Sequence, residues 1–173
     1  MSATEPTPLA YYPGVTPTNT DEERRARLAA ANVPEQMWDY MGKFGVSPLA
    51  AKMGLIYHTM TVELLSASVP VAGNEQNMGI FHGGAHLVLA ETLGSVATVM
   101  HAFTLGDETV TGVVGTEINA SHTRAATEGR VLAECRPIRL GRNLCTHEIV
   151  MSDDQGRRLS TARMTNMILR KKP

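Results

Sequence analysis

The pattern of hydrophobic and polar residues divides the chain into a helical N-terminal part and a longer part built from one helix and several strands. Residues 21–33 predict a short helix, because Thr20 can cap its first turn and Glu23 can complete a capping box. Residues 34–44 predict a second helical piece, with methionines at helical spacing. We expect both pieces to form an extension that packs on the main domain.

Proline sets the first residues of the chain apart from the rest. Residues 1–20 contain four of the nine prolines and predict a flexible, extended tail. After residue 55 the chain becomes rich in β-branched residues that partly alternate with polar ones. We therefore divide the chain into a tail with a helical extension at residues 1–45 and a main domain at residues 46–173.

The main domain is predicted to combine one long helix with a sheet. Residues 55–71 predict one strand, and residues 83–104 predict a helix that is apolar around most of its circumference. Turn signals then separate four strand-like runs, at residues 109–122, 129–140, 143–152 and 157–170. A helix that is apolar nearly all round must be covered. A single curved antiparallel sheet wrapped around the helix, of α+β class, is the predicted architecture.

Composition and charge narrow the possible functions. The formal net charge of -1 provides no basic surface of the kind that nucleic-acid binding requires. No apolar run reaches transmembrane length without a polar interruption, and residues 1–10 lack the features of a signal peptide. Cys135 and Cys145 form neither a disulfide framework nor a zinc motif. We therefore expect a cytoplasmic protein with reduced thiols that binds neither nucleic acid nor membranes.

Glu91 is the first candidate functional residue, because it interrupts the apolar helix. Together with Ser95 and Thr98 it forms a polar stripe at positions i, i+4 and i+7. An unpaired carboxylate in apolar surroundings costs several kcal/mol or shifts its pKa upward. On the helical pattern alone, two interpretations stay open: Glu91 faces a functional cavity, or it lies on an exposed, solvated strip.

The start of the same helix provides a second candidate. His82, Gly83 and Gly84 stand where the helix begins, and glycines let another molecule approach the first-turn N–H groups. These groups lack intrahelical partners and carry the positive end of the helix dipole. The arrangement is typical of an anion-binding or oxyanion-stabilising site. Combined with the acid nine residues later, it favours the functional interpretation of Glu91.

The separation of the two candidates predicts a dimer. Nine residues of α-helix span roughly 13 Å. Reacting groups must lie within about 3 to 3.5 Å of each other. Glu91 therefore cannot act on a carbonyl that the Gly83 N–H of the same chain polarises. A two-fold dimer with antiparallel helices would bring one chain's helix start beside the other chain's Glu91, so we expect shared active sites.

Four segments of the chain occur together at a characteristic spacing: QNMGIFHGG, LAETLGSVA, VVGTEINASHTRAATEGRV and PIRLGRN. Together they resemble one known family, the hotdog-fold acyl-CoA thioesterases. The resemblance is to the branch that uses a glutamate, covers residues 50–170 and leaves the N-terminal extension outside. It implies a long helix wrapped by a curved antiparallel sheet, and homodimers with shared sites that pair into homotetramers.

The resemblance also implies roles for the residues around the helix. Glu91 resembles the nucleophile or general base, and Ser95 resembles the hydroxyl that positions the hydrolytic water. Gln76 matches the side chain that orients the substrate carbonyl or the water. Gly83 matches the backbone N–H that polarises the thioester carbonyl, with His82 beside it.

The CoA-binding segments of the family match two stretches and one glycine. The implied CoA-binding residues are Gly115, His122, Thr123, Arg124, Ala125, Arg139, Leu140, Gly141, Arg142, Asn143 and Leu144. Arginine suits the phosphates of CoA, because it is permanently charged and has forked donors. Since CoA is part of the substrate, no resident cofactor is expected. His82 and His86 have the spacing of a metal pair but lack a placed third ligand, so no metal is expected.

The resemblance predicts a substrate class and leaves alternatives. It implies hydrolysis of an aromatic acyl-CoA, with 1,4-dihydroxy-2-naphthoyl-CoA of menaquinone synthesis as the specific expectation. The alternative within the class is a broad or proofreading thioesterase acting on aryl- or acyl-CoA or on an acyl-carrier protein. A non-catalytic module that binds acyl-CoA is the alternative outside it, and a hotdog dehydratase would require a His and Asp pair at the helix. Two departures from close relatives are His86 and a long connection at residues 103–112.

Overall fold

The computed structural model describes residues 19–42 and 45–171. The described chain begins with three short helices: α1 (Asp21–Ala30), a 3₁₀ helix (Glu35–Met41) and α2 (Pro48–Lys52). The remaining elements are β1 (Ile56–Met60), β2 (Leu65–Pro70), α3 (Gly83–Thr104), β3 (Val110–His122), β4 (Arg130–Leu140), β5 (Leu144–Ser152) and β6 (Arg158–Arg170). The predicted tail lies largely outside the described residues.

The N-terminal helices form for the local reasons that the sequence indicated. The Thr20 hydroxyl accepts from the Glu23 N–H at 3.2 Å, and the Glu23 carboxylate accepts from the Thr20 N–H at 2.6 Å, which completes the capping box. The second helical piece is a 3₁₀ helix. The short helix α2, which the sequence analysis did not predict, begins at a Ser47 cap with Pro48 in its first turn. The division of the chain at residue 45 stays a prediction.

The long helix α3 has the predicted bounds. His82 caps its start by accepting a hydrogen bond from the Gly84 N–H at its Nδ1 atom, over 2.8 Å. Gly106, with a φ of 58°, allows the chain to leave the helix in the left-handed region. Within the described ranges α3 is also the one helix long and apolar enough to cross a membrane, by length and composition alone, and half of that window is buried inside the domain. Such burial is typical of a core helix.

The six strands of the described chain form one antiparallel sheet in the order β1-β2-β4-β5-β6-β3. The four strands that follow α3 are as predicted. The single strand expected at residues 55–71 is wrong, because the chain turns there and forms the β1–β2 hairpin. Thr61 closes this turn: its backbone N–H donates to the Leu64 carbonyl, and its hydroxyl accepts from the Leu64 N–H.

The helix α3 packs on one face of the sheet, against β2 to β6. Gly94 permits the close approach, because a Cβ atom there would lie 2.6 Å from Cγ of Met164 on β6. Buried side chains of both layers form the main core, which also includes Leu28 of α1 and Ala50 of α2. The predicted architecture, a long helix covered by one antiparallel sheet with helices added at the N-terminus, is therefore confirmed.

Candidate active site

Glu91 faces a cavity and is not simply solvated. The cavity has a volume of about 300 Å³. It is lined by Glu91, Ser95, Val96 and Val99 of α3 and by Met37, Tyr40 and Met41 of the 3₁₀ helix, and we call it the Glu91 cavity. The carboxylate is partly buried, and burial raises its pKa above the ordinary value, while a hydrogen bond from Ser95 opposes that rise. A raised carboxyl pKa favours a group that can take up a proton.

Gly115 makes room for this carboxylate. It lies on β3, and a Cβ atom built there would stand 2.8 Å from Glu91 Oε1 and 2.6 Å from Met164 Cε. Any side chain larger than hydrogen would therefore displace the carboxylate or the methionine. The resemblance implied a CoA-binding role for Gly115, whereas the structure places it directly against Glu91.

Ser95 connects Glu91 to the sheet. Its hydroxyl lies 3.4 Å from Glu91 Oε1 and 3.2 Å from Oδ1 of Asn166, which lies on β6. Asn166 is fully buried, and its Nδ2 atom has no hydrogen-bond partner within the described residues. Sequence reasoning missed Asn166. The available signal was a polar residue at an inward position of β6, between the inward side chains of Met164 and Ile168.

A second cavity lies at the start of α3. It has a volume of about 490 Å³ and is lined by Gln76, Phe81, His82, Gly83, His86 and residues 122–125, and we call it the helix-start cavity. The Gly83 N–H, the first of the helix, has no hydrogen-bond partner in the described part of the chain. This donor is therefore free to bind a substrate oxygen. The structure thus brings together Gln76, His82 and Gly83 with one of the two stretches assigned to CoA.

Two histidines form the wall between this cavity and the core. The rings of His86 and His122 stack with centroids 4.9 Å apart, and His122 Nδ1 lies 2.9 Å from the Ser160 hydroxyl. His86 is buried beside Met151 and faces the sheet as well as the cavity. Burial, with a smaller contribution from His122, lowers the pKa of His86 to about 4, so this ring is neutral at physiological pH.

The second stretch assigned to CoA, residues 139–144, lies elsewhere in the same chain. It forms the β4–β5 turn beside the last turn of α3, where His101 Nε2 lies 3.2 Å from the Gly141 carbonyl oxygen. Arg142 is exposed and pairs with Asp107 at 3.4 Å. Eighteen residues of helix, roughly 27 Å, separate His101 from Gly83. One chain therefore does not unite this turn with the helix-start cavity.

Glu91 and the Gly83 N–H are likewise apart. They line different cavities of the chain, and the intervening helix has the length expected from the sequence. Taken together, the long helix against one antiparallel sheet, the glycine-rich helix start and the carboxylate in mid-helix define the hotdog class of proteins.

Comparisons with known proteins agree with this class. Residues 78–160 match the family model described as the thioesterase superfamily. The proofreading thioesterase EntH of Klebsiella pneumoniae subsp. pneumoniae is 40% identical over 148 residues, which cover 85% of this chain and 97% of the relative. The chain belongs to the thioesterase superfamily. It is accordingly a thioester hydrolase, as the resemblance predicted.

Solved structures support the same conclusion. A variant of thioesterase PA1618 from Pseudomonas aeruginosa is similar with a TM-score of 0.67 and 30% identity, over 90% of this chain and 97% of that one. A variant of the thioesterase SAV0944 from Staphylococcus aureus is similar with a TM-score of 0.64 and 28% identity, over 73% of this chain and 100% of that one. The hotdog fold is therefore shared with thioesterases of known structure.

Proposed function

We propose that Glu91 is the nucleophile or general base in the hydrolysis of an acyl thioester. One observation carries this proposal. The Glu91 carboxylate is held at the edge of an apolar cavity, with its pKa raised by burial, a hydroxyl one helical turn away and a glycine opposite that leaves room for it. A carboxylate so placed can take a proton from water or attack a carbonyl carbon.

The carbonyl oxygen of the substrate is assigned to the helix-start cavity. The Gly83 N–H, which has no partner among the described residues, and the N-terminal dipole of α3 stabilise negative charge there without reorganisation, and Gln76 adds an amide on the same cavity. Variants of the Staphylococcus aureus thioesterase support the pairing of these residues. A glutamine and a glutamate fifteen positions apart were each replaced by alanine in that protein, and the same separation divides Gln76 from Glu91.

The two halves of the site are united in a homodimer. The helix start of one protomer supplies the Gly83 N–H, and the partner supplies Glu91, which gives two sites per dimer. The position of β3 supports this assembly, because this strand of thirteen residues has a neighbour on one side only within the described sheet. The homotetramer and the cytoplasmic location stay predictions.

The reaction requires no resident cofactor or metal. In the general-base route, Glu91 takes a proton from water as the water oxygen adds to the carbonyl carbon, the C–S bond breaks, and the carboxylic acid returns the proton to the thiolate. In the nucleophilic route, Glu91 adds to the carbonyl carbon, the thiolate leaves, and water hydrolyses the anhydride. Thiolate is a good leaving group, so neither route needs a separate general acid.

The CoA moiety is assigned to arginines at both ends of α3. Arg124 borders the helix-start cavity, while Arg139 and Arg142 lie on exposed positions at the β4–β5 turn. Side-chain exposure of 79% leaves the Arg142 guanidinium accessible to phosphate despite its contact with Asp107. In an antiparallel dimer, the turn of one protomer lies on the side of the other's helix start, so the two groups can bind one CoA.

A broad or proofreading thioesterase is the substrate assignment that we favour. The relative from Klebsiella pneumoniae is named a proofreading thioesterase, and it matches 85% of this chain. The apolar lining of the Glu91 cavity suits aryl or short acyl groups. The narrower expectation of 1,4-dihydroxy-2-naphthoyl-CoA, and with it a role in menaquinone synthesis, stays a prediction, as does the use of an acyl-carrier protein.

Thiol release from a panel of thioesters tests the proposal. The panel contains dihydroxynaphthoyl-, hydroxybenzoyl-, phenylacetyl- and aliphatic acyl-CoAs, with the same groups on a carrier protein. The wild type should release thiol, and Glu91→Gln should reduce kcat by at least about 10³-fold. Glu63→Gln, an exposed acid in the β1–β2 turn, is the matched control and should retain the rate. Binding without release by the wild type would instead identify a non-catalytic acyl-CoA module, and near wild-type rates in Glu91→Gln would exclude Glu91.

A further inference from the structure

The wall of the Glu91 cavity opposite α3 comes mainly from residues N-terminal to the sheet. On one side Val96 and Val99 extend along α3 from the carboxylate. On the other side Met37, Tyr40 and Met41 of the 3₁₀ helix face them across the cavity. The helix-start cavity contains no residue of this N-terminal segment. The segment therefore contributes to only one side of the proposed active site, the side that holds the carboxylate.

Hydrogen bonds to its backbone, to the residue that follows it and from its Trp38 side chain hold the 3₁₀ helix in place. Nε of Arg24 on α1 donates to the Gly42 carbonyl at 2.7 Å, and the same guanidinium donates to the Trp38 carbonyl. Trp38 Nε1 donates to the Val33 carbonyl at 2.9 Å. The Arg24 side chain is 15% exposed, so these charge-assisted bonds are largely shielded from water.

Tyr40 extends this support to the helix. Its ring meets the ring of Phe103, in the last turn of α3, edge to face, with centroids 4.6 Å apart. The 3₁₀ helix therefore contacts α3 about one turn beyond Val99, just past the part of the helix that lines the cavity. Together with the Arg24 hydrogen bonds, this contact makes the segment a fixed wall of the cavity.

The chemistry of the lining defines what can enter. Glu91 is the only charged group among the described residues that line the cavity, and the remainder are mainly thioether, aliphatic and aromatic side chains. A volume of about 300 Å³ lies at the lower end of the range for small-molecule pockets. Such a space suits a single aromatic ring or a short to medium aliphatic chain better than a long fatty chain.

We propose that Glu35–Met41 is the far wall of the acyl pocket and determines which acyl group is accepted. The inference rests on the proposed role of Glu91, since the thioester carbon must lie beside that carboxylate. The acyl group then extends away from Glu91 along Val96 and Val99 and ends against Tyr40 and Met41. Met41 adapts its shape to the acyl group, whereas Tyr40, braced by Phe103, limits its length.

Changes of pocket size on opposite walls test this inference. Val99→Phe adds bulk from the helix, and Met41→Ala removes bulk from the 3₁₀ helix. The readout is the ratio of kcat/KM values among acetyl-, hexanoyl-, benzoyl- and lauroyl-CoA. Gln36→Ala is the control, because Gln36 is exposed on the same segment and does not line the cavity.

Val99→Phe should lower the hexanoyl-to-acetyl and benzoyl-to-acetyl ratios at least about tenfold, and Met41→Ala should raise the lauroyl-to-hexanoyl ratio by about tenfold. Gln36→Ala should leave the ratios unchanged. If Val99→Phe fails to fold, the ratios measured for Met41→Ala alone test the pocket assignment. Unchanged ratios in folded variants that still hydrolyse the thioesters would overturn the pocket assignment. Absence of hydrolysis in the wild type would overturn the proposed function instead. Ratios of the dissociation constants of the same acyl-CoAs would then test the pocket assignment.

Discussion

Gly115 and Asn166 lie directly opposite each other on β3 and β6, and each contacts one member of the Glu91–Ser95 pair. The glycine leaves the space that the carboxylate fills, and the asparagine lies within hydrogen-bond distance of the serine hydroxyl. Strands β3 and β6 therefore hold the side chains of the polar face of α3 in position. Activity should be sensitive to both positions, although neither residue belongs to the helix.

Gly115→Ala should reduce activity more than stability. The new methyl group would meet Glu91 Oε1 and Met164 Cε, which are both ends of flexible side chains, so the fold can accommodate it by moving them. A carboxylate displaced by about 1 Å costs on the order of 100-fold in kcat. Thiol release and thermal unfolding, measured on the same preparation, check the expectation. A variant with unaltered kcat would show that the position of Glu91 against β3 is unimportant.

Asn166 is expected to act as a positioning residue through Ser95. The single Ser95 proton cannot be donated to both Glu91 Oε1 and Asn166 Oδ1. With the amide turned over, Nδ2 would donate to Ser95, and Ser95 would donate to Glu91. This orientation removes an orphaned buried N–H group, which is costlier to leave unpaired than a carbonyl oxygen.

Asn166→Ala should therefore lower kcat with little change in KM, and it should move the acidic limb of the pH profile. Loss of the donor weakens the Ser95 hydrogen bond that holds down the pKa of Glu91, so the limb should shift to higher pH. Ser95→Ala should shift it in the same direction. Asn119→Ala, an exposed amide on β3, is the comparison variant. If kcat fell but the acidic limb of the pH profile did not move, Asn166 would have only a packing role.

Glu91 should make the protein less stable at neutral pH. Burial raises its folded-state pKa above the unfolded value, so the folded state binds a proton more readily than the unfolded state does. The free energy of unfolding therefore falls as pH rises from the unfolded-state pKa of Glu91 to its folded-state pKa. Above the folded-state pKa, the ionised carboxylate destabilises the fold. Glu91→Gln should raise the melting temperature at pH 7.5 and lose that advantage at pH 4. A Glu91→Gln variant that is less stable at pH 7.5 would contradict the assigned cause of the shift.

The sequence predicted α3 well and the first strand poorly, for identifiable reasons. The helix has a long apolar run, a capping histidine and a terminal glycine, so its signals agree with one another. The β1–β2 turn at residues 61–64 has the sequence TVEL, without Gly, Pro, Asn or Asp. A threonine side chain closes it instead. Such a turn is indistinguishable from a strand when only composition and alternation are considered.

In the candidate site, the residues that depend on local sequence were predicted, and those that depend on long-range contacts were not. Glu91, Ser95 and Gly83 follow from the periodicity of one helix and its start. Asn166 lies 71 residues from Ser95 in sequence, and alternation along β6 does not indicate which inward residue meets the helix. Nor does the spacing of Met37 and Met41 indicate that the 3₁₀ helix packs over the carboxylate. These contacts depend on strand order and on the path of the N-terminal chain.

His147 should make stability depend on acidity. It is 1% exposed, neither ring nitrogen has a partner among the described residues, and burial, with a smaller effect of His101, lowers its pKa to about 4. Because the folded pKa lies below the unfolded value, stability is complete above pH 6.5 and is lost as pH falls toward 4, by about 3 kcal/mol at most. His147→Leu should be markedly more stable than the wild type at pH 5.

The comparison of denaturant unfolding at pH 5 and pH 8 isolates this effect. At pH 8 the histidine is neutral in both states, so any advantage of the leucine there reflects its apolar side chain and the loss of two buried ring nitrogens, and not a protonation step. The advantage should therefore grow between pH 8 and pH 5. His58→Leu, at an exposed position of β1, is the comparison variant. Equal pH dependence in the two variants would indicate that His147 does not remain neutral in the folded state.

Shared active sites can be tested by mixing two inactive variants. Glu91→Gln removes the carboxylate, and Gln76→Ala removes the amide of the helix-start cavity. In a heterodimer both lesions fall in one site, and the other site is intact. With free subunit exchange at equal concentrations, half of the dimers are mixed and each has one working site, so about a quarter of the wild-type rate should return.

The recovery must follow subunit exchange, which differently tagged chains and native mass spectrometry can show. Mixing Glu91→Gln with Glu91→Ala is the control, because every site in those heterodimers still lacks the carboxylate and no activity should return. Full exchange without recovery in the first mixture would mean that Glu91 and Gln76 act within one chain. Such a result would require the two cavities to come closer together within one chain, although the intact helix α3 keeps them apart.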